Sequence, residues 1–155
     1  MSTTTAPTPQ LLEVTVGASL VPGTATEVDI RAGAHAFTID EPASLGGTDR
    51  GANPLDHLLG SLAACTVISY QVWAGKLGIA LEGVEVSVDG TIDLNGFFGL
   101  DEEARPGFQG IGLVVTPRGP EAPERYAELA AAVEEHCPVL DSLTAGVPVR
   151  SRLAG

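Results

Sequence analysis

The feature that most limits the fold of this sequence is a run of 18 residues, at positions 58–75, without a charged side chain. Asn53 and Pro54 stand just before the run. Asn caps the free amides at the start of a helix, and Pro at the first helical position loses no needed donor. Gly78 follows the run and is typical of the residue just beyond a helix end. The pattern therefore predicts a helix of about six turns, from Pro54 to about Leu77.

The same run is close to the shortest length that can span a membrane. Ser61, Thr66, Ser69 and Gln71 interrupt it, and the sequence contains no second run of this kind. We therefore predict a buried helix of a soluble protein. A helix that is apolar on nearly every side must be buried on every side, and a small domain rarely encloses a helix this long. The helix thus predicts a homodimer, in which a second copy of the chain completes the enclosure.

Length and charge restrict the remaining choices. With 155 residues, the chain is predicted to form one domain over residues 11–155 after a disordered tail at residues 1–10. The tail has no basic residue and no apolar run, so it is not a secretory signal and we expect a cytoplasmic protein. Eight basic against 20 acidic side chains give a net charge of −12. That charge excludes nucleic acid and a membrane surface as partners.

Alternation of apolar and polar residues marks the strands. Three strands precede the long helix, and a short Gly-containing segment at residues 31–34 suits a hairpin between the last two. Two strands follow, and then a second helix that starts at Pro123 and is ended or kinked by Pro138. A last strand contains Pro148, which favours a sheet edge. The predicted order is βββ-α-ββ-α-β, an α+β domain. The strands are marked by Val14, Val16, Ala18 and Leu20; Val28 and Ile30; Phe37 and Ile39; Val84, Val86, Val88, Ile92 and Leu94; Ile111, Leu113 and Val115; and Val147, Val149 and Leu153.

Cys65 and Cys137 are the two cysteines and the only soft nucleophiles. Free cysteines often only fill space in a core, so two inert buried thiols are one interpretation. Two features favour a reactive pair: Cys65 follows Ala63-Ala64, where small side chains allow a close approach, and Cys137 stands at a helix break before Pro138. If the two meet, one is a peroxidatic and the other a resolving cysteine. Burial in mid-helix would raise the pKa of Cys65, so a cation would have to stabilise its thiolate.

Other catalytic arrangements have weaker support. His35, His57 and His136 lack the spacing to the cysteines that is typical of a tight zinc site. His57 and Cys65 are about 12 Å apart along a straight helix, which is outside the reach of a cysteine hydrolase pair. Gly46-Gly47 does not form a phosphate-binding pattern.

Two motifs resemble those of one known family. A helix start of the type Gly-x-Asn-Pro, followed by a cysteine twelve residues after the Asn, is present as Gly51-Ala-Asn53-Pro54 with Cys65. A Cys-Pro-Val motif near the end of the second helix is present at residues 137–139. In these motifs the chain resembles the OsmC/Ohr family of osmotically induced and organic-hydroperoxide-resistance proteins. The similarity covers about residues 27–153 of the sequence.

The resemblance implies a fold, an activity and a set of site residues. The fold is an intertwined homodimer with long central helices packed between antiparallel sheets. The activity is thiol-dependent reduction of peroxides without a metal or organic cofactor, and an Arg from the N-terminal strands holds the reactive thiolate. Arg31 occupies that place by order, and Arg50 is the second candidate. The organic-hydroperoxide branch has Glu directly after Asn-Pro, where this chain has Leu55 and then Asp56; the broader OsmC-like group fits better.

Two functions follow from these observations. In the first, Cys65 reduces an organic hydroperoxide or hydrogen peroxide, forms a disulfide with Cys137, and is restored by an external thiol or dithiol. For this we expect the two cysteines to lie close enough to bridge. In the second, the chain is a non-catalytic OsmC-like module that binds a small apolar ligand at the dimer interface. The absence of Glu at Leu55 favours the second function, and the presence of both cysteines favours the first.

Overall fold

A computed structural model describes residues 7–155 and divides the chain into two compact units, the first ending at Pro54 and the second spanning Leu55–Gly155. The predicted single domain over residues 11–155 stays a prediction. Of the predicted N-terminal tail, residues 1–6 lie outside the described residues. Residues 7–10 are exposed and have no regular secondary structure.

The first unit is built around an antiparallel sheet of three strands in sequence order: β1 (Val16–Leu20), β2 (Val28–Ala32) and β3 (His35–Ile39). The predicted hairpin between β2 and β3 is confirmed, with Ala32 paired to His35. Gly33 takes the first position of its two-residue turn with φ +60°. A positive φ at that position suits the right-handed twist of the two strands and costs Gly nothing. A short 3₁₀ turn at Ala43–Leu45 follows.

The second unit contains the long helix α1 (Pro54–Leu77), whose predicted bounds are confirmed. Gly78 ends it with φ +62°, the left-handed conformation expected after a helix. Strands β4 (Gly83–Ile92) and β5 (Phe108–Arg118) form a separate antiparallel sheet. The short helix α2 (Leu94–Phe97) lies between them and begins at Asp93, whose carboxylate accepts a hydrogen bond from Asn95 N–H.

Two helices follow the second sheet. Helix α3 (Pro123–His136) confirms the predicted second helix, and Pro138 separates it from the short helix α4 (Pro138–Asp141). A π-helical turn at Ser142–Gly146 comes next. The core of this unit lies where α1 meets α3 and α4. Its buried residues are Tyr70, Ala74, Ile79, Leu129, Val133 and Cys137.

Within one chain, α1 is buried on one face only. The single chain therefore does not provide the burial on every side that the sequence predicts. The opposite face exposes an apolar stripe in which Ile68 is 62% and Val72 50% exposed. Leu58 continues the stripe towards the start of the helix. The helix is long and apolar enough to cross a membrane by length and composition alone, a test that core helices of soluble proteins also pass. The second copy that would cover the stripe stays a prediction.

The predicted last strand is wrong. Residues 147–155 form no strand, and Val149 and Leu153 are almost fully exposed. Pro148 has no N–H to donate to a ladder, and the neighbouring residues find no strand to pair with among residues 7–155. The alternation of apolar residues at Val147, Val149 and Leu153 therefore does not produce a strand within this chain. The other elements occur in the predicted order, and the α+β class is confirmed.

Candidate active site

The fold brings the two thiols together from opposite ends of the second unit. Cys65 lies in the middle of α1 and is partly exposed, whereas Cys137 is completely buried. The two cysteine side chains lie close enough for each to change the pKa of the other, and both are free thiols. Cys65 also packs against the core that contains Cys137. One sulfur is therefore open to a reactant and the other is shielded behind it.

The break between α3 and α4 determines where the sulfur of Cys137 lies. Cys137 has an extended backbone (φ −78°, ψ 112°) between the two helices. Its N–H donates to Val133 O at 2.9 Å, and its carbonyl accepts from Asp141 N–H at 2.9 Å. Because Pro138 cannot continue α3, the chain starts a new helical turn whose first N–H groups have no partner within the helix. The backbone N–H groups of Leu140 and Val139 act to lower the pKa of Cys137 and of Cys65, respectively.

Two buried hydroxyls complete the surroundings of the thiols. Ser69, one turn after Cys65 on α1, is buried and acts to lower the pKa of both cysteines. Thr66 contacts Cys137, and its hydroxyl donates to Leu62 O at 2.9 Å. Sequence reasoning did not single out Ser69. The available signal was its position four residues after Cys65, on the same face of the helix.

The same surroundings shift the two thiols in opposite directions. Burial raises the pKa of Cys65, as expected from the sequence, and the Val139 N–H and Ser69 only partly oppose it. Burial also acts to raise the pKa of Cys137, but the Leu140 N–H, Cys65, Ser69 and Thr66 together lower it. The two thiols titrate as an interacting pair, and burial opposes a charge on either sulfur. The exposed sulfur needs a further cation to hold the charge itself.

Arg31, the predicted cation, lies in the first unit on β2, opposite Gly17 and Ala36 in the two neighbouring strands. Its side chain is exposed and lines a small groove of about 210 Å³ together with Phe37 and Thr38. Among the described residues, no carboxylate forms an ion pair with it. Its pairing with Cys65 stays a prediction.

Arg50, the second candidate, is also exposed, and its backbone is held by a residue that sequence reasoning missed. The Arg50 N–H donates to the buried carboxylate of Asp40 at 3.2 Å. Asp40 also accepts from Thr26 Oγ1 at 2.6 Å and from the N–H and hydroxyl of Thr48 at 2.9 and 2.8 Å. Thr26 is the main cause that keeps the pKa of Asp40 well below its usual range, with Thr48 and Arg50 adding to it against burial. Donors spread over 25 residues of sequence leave no local pattern from which this carboxylate could be found.

The loop between Asp40 and α1 also passes very close to the neighbouring backbone. A Cβ at Gly47 would overlap the Glu41 carbonyl, and a Cβ at Gly51 would overlap the Thr38 carbonyl. Only residues without a side chain fit at these two positions without a shift of the backbone. The loop that leads to Arg50 and to the start of α1 is therefore tightly fixed within the first unit.

The histidines do not form a metal-binding group with the two thiols. His136 packs on Trp73 with ring centroids 4.2 Å apart, and its Nδ1 lies 2.9 Å from Ala132 O. Within residues 7–155, no group of three or more His, Cys, Asp or Glu side chains is arranged to hold a metal ion. His35 lies on an exposed strand position of the first unit.

Two apolar grooves of the second unit flank the residues around the thiols. One has a volume of about 500 Å³ and includes Leu62, one turn before Cys65, and Leu140, three residues after Cys137. The other, of about 440 Å³, includes Thr66 and again Leu140. Both grooves share Leu113 of β5. Both grooves are therefore lined by residues that are close in sequence to Cys65 or Cys137.

Comparisons with known proteins agree with this architecture. A family model described as OsmC-like protein matches residues 47–152. The structure is similar to that of an OsmC-like protein from Mycoplasma pneumoniae, with a TM-score of 0.75 and 20% identity over 87% of this chain and 89% of that chain.

Two further solved structures are organic hydroperoxide resistance proteins. The protein from Elizabethkingia anophelis, solved with thiocyanate bound, has a TM-score of 0.68 and 18% identity over 90% of this chain and 93% of that one. OhrB of Bacillus subtilis has a TM-score of 0.59 and 24% identity over 88% of this chain and 94% of that one. No curated protein gives a significant match to the sequence.

Proposed function

The chain belongs to the family of OsmC-like proteins, and from that premise we propose that it is a cysteine-based peroxidase that uses Cys65 and Cys137. The observation that supports this most directly is the contact between an exposed and a shielded thiol. The N–H groups of Val139 and Leu140 and the Ser69 hydroxyl act to lower the pKa of the thiols, which supports a reactive role for the pair. Several solved relatives are named organic hydroperoxide resistance proteins, which also supports the proposal.

The reaction proceeds in three steps. The thiolate of Cys65 attacks the terminal oxygen of a peroxide, the O–O bond breaks, and an alcohol or water leaves after taking up a proton, so that Cys65 becomes a sulfenic acid. The thiol of Cys137 then attacks the sulfur of Cys65, a disulfide forms and water leaves. Two equivalents of an external thiol, or one dithiol, reduce the disulfide to two thiols and are themselves oxidised.

The first step needs a cation beside the exposed sulfur. Burial raises the pKa of Cys65, so a guanidinium within a few ångströms would restore the thiolate at neutral pH. Arg31 is the proposed cation, and Arg50 is the second candidate. The exposed apolar stripe of α1 supports a homodimer, because a second copy would remove Ile68 and Val72 from water. We place the protein in the cytoplasm, where thiol reductants are available.

The test is thiol titration of the purified, reduced protein before and after one equivalent of cumene hydroperoxide. We expect the loss of both thiols and a disulfide within each chain, detected by mass spectrometry. Cys137→Ser provides the matched control, because it keeps the attacking sulfur and removes its partner. Unchanged thiols in the wild-type protein would contradict the peroxidase proposal.

One observation favours a second candidate function. The groove of about 500 Å³ falls within the size of small-molecule sites and is lined mainly by apolar side chains. A non-catalytic module that binds a small apolar ligand would use such a groove, and Leu55 in place of a Glu adds an apolar side chain to its wall. Saturable binding of an apolar ligand together with unchanged thiols after peroxide would select this function.

A further inference from the structure

A cluster of exposed apolar side chains lies in the connection between β4 and β5. Phe97 is 68% and Leu100 75% exposed, and Leu94 and Phe98 are exposed as well. We call these four residues the aromatic patch. Of the described residues that line the two grooves beside the thiols, none belongs to it. The aromatic patch is therefore a separate surface, and the reaction proposed for the thiols does not use it.

The backbone holds the aromatic patch in place although its side chains are exposed to water. The N–H groups of Phe98 and Leu100 donate to carbonyls of α2 at 2.9 Å. A Cβ at Gly96 would overlap the Ala104 carbonyl, so α2 packs directly on the backbone that leads to β5. The rings of Phe97 and Phe98 lie edge to face with their centroids 5.0 Å apart. A surface that is already ordered loses little conformational entropy when a partner binds.

Acidic residues border the aromatic patch. Asp101, Glu102 and Glu103 follow Leu100 directly and are exposed. Among residues 7–155, none of these three carboxylates forms an ion pair. Arg105 is the one basic residue between β4 and β5. The connection is therefore apolar at the patch and negative at its border.

This combination distinguishes among classes of partner. The anionic surface of a cytoplasmic membrane would repel the carboxylates beside the patch, so lipid is disfavoured. A second copy in a two-fold contact would bring the same acidic residues of both chains together, and each chain has a net charge of −12. A partner with basic side chains beside an apolar strip would remove the aromatic rings from water and neutralise the carboxylates as well.

We propose that the aromatic patch is a docking surface for a basic amphipathic segment of another protein. The apolar side of that segment covers Phe97, Phe98 and Leu100, and its Lys or Arg side chains pair with the carboxylates at residues 101–103. Aromatic anchors inside a polar border are typical of protein interfaces. The proposal does not depend on the function proposed for the thiols.

The first test is titration of the reduced full-length protein into a fluorescently labelled synthetic peptide, followed by anisotropy. The peptide is a short amphipathic helix of Leu and Lys, and in a control peptide Ser replaces every Leu. We expect the Leu-Lys peptide to bind more tightly than the Ser-Lys peptide. Phe97→Ser should weaken binding of the Leu-Lys peptide about tenfold, as is typical for loss of an interface anchor, and leave the Ser-Lys peptide unaffected. Val114→Thr, which changes an exposed apolar residue of β5, is the matched control and should alter neither.

Two further variants keep the test decisive. Glu102→Gln should weaken binding of both peptides about twofold at low ionic strength and have no effect at high salt, because an exposed charge at the border is screened there. Leu100→Ser removes a second apolar side chain of the patch. It replaces Phe97→Ser in the comparison if the melting temperature shows that Phe97→Ser does not fold.

Equal binding of the Leu-Lys peptide by wild type, Phe97→Ser and Leu100→Ser would overturn the proposal, as would the absence of binding to wild type. Two other results would also overturn it by assigning the patch to a different partner. A smaller assembly of Phe97→Ser than of wild type in analytical ultracentrifugation would place a second copy on the patch. Binding of wild type, but not of Phe97→Ser, to vesicles of phosphatidylcholine and phosphatidylglycerol would place lipid there.

Discussion

Two buried ionisable sites, one in each unit, differ in how completely their charge is satisfied. Asp40 in the first unit accepts hydrogen bonds from Thr26, Glu41, Thr48 and Arg50, and its pKa lies well below the usual range. The thiols of the second unit share a few donors, and their pKa values move in opposite directions. The carboxylate of Asp40, which accepts hydrogen bonds from many fixed donors, stays ionised and fixes the course of the loop that follows it. A charge shared between two sulfurs with few donors is available for chemistry.

The largest expected effect is on the thiol site. Cys65→Ser should reduce peroxide consumption to the background rate, because Cys137, the second of the two cysteines, is buried. The measurement is consumption of cumene hydroperoxide with a dithiol reductant. The melting temperature should change little, since Ser is close in size to Cys. Activity that survives in this variant would assign the reaction to another group.

Cys137→Ser tests the division of roles between the two sulfurs. The variant should consume about one equivalent of peroxide and then stall, because Cys65 remains as a sulfenic acid and is oxidised further. Mass spectrometry should detect the added oxygen atoms on Cys65. Normal turnover with a dithiol would contradict the resolving role of Cys137.

Mixing two inactive variants tests where the cation comes from. If the site is shared between subunits, heterodimers of Cys65→Ser and Arg31→Ala contain one site with both native groups. Random reassortment should then restore up to about a quarter of wild-type activity. The same mixture with Arg50→Ala in place of Arg31→Ala is the matched comparison. No recovery despite demonstrated subunit exchange would place both groups on one chain or remove Arg31 from the mechanism.

Substitution of Asp40 should lower the stability of the fold and leave the chemistry of the thiols unchanged. Asp40→Ala leaves several donors unpaired and should lower the melting temperature by on the order of 5 °C. Because the folded pKa of Asp40 is lowered, its stabilisation is present above the unfolded pKa of about 3.9 and is lost as the pH falls further. The difference from wild type should therefore be constant from pH 8 to about 5 and shrink in stronger acid. Asp49→Asn, an exposed neighbour in the same loop, is the control; an equal loss there would refute the specific role of Asp40.

The smallest expected effect comes from Ser69→Ala. Ser69 lowers the pKa of both cysteines, so its removal should raise the pKa of the pair and slow alkylation by iodoacetamide at pH 7 about threefold. The rates of the variant and of wild type should converge at high pH, where both are ionised. Ser61→Ala, an exposed serine of the same helix whose hydroxyl donates to His57 O, serves as control. A slower rate at every pH would indicate a change in access instead.

The elements that sequence reasoning predicted correctly are those specified by local signals. Helix α1 begins at Pro54 as predicted and ends before Gly78, whose positive φ suits a helix end, and Gly33 has the positive φ that the hairpin requires. The last strand failed because alternation indicates a strand without indicating its partner. A strand forms only where a partner strand is available, and the described residues provide no partner strand for Val147 and Val149.

The site was predictable only in part, for a similar reason. Both cysteines stood out by their type and by their motifs, and the fold brings them into contact. Ser69 is an ordinary residue in the sequence, and its effect on Cys137 depends on a neighbour that is distant along the chain. Asp40 is the clearest case, because its ionised state depends on donors from three separate segments.

The close passage of the loop at Gly47 and Gly51 has a consequence for how this protein can evolve. Any single substitution at either position brings a Cβ into the backbone of Glu41 or Thr38, so a mutational path through these sites starts with a loss of stability. Between these two glycines, Thr48 is held by its hydrogen bonds to Asp40, whereas the side chain of Arg50 is exposed. The chain can exchange the charge of that residue at little cost to the fold, while the course of the backbone that presents it is inherited almost unchanged.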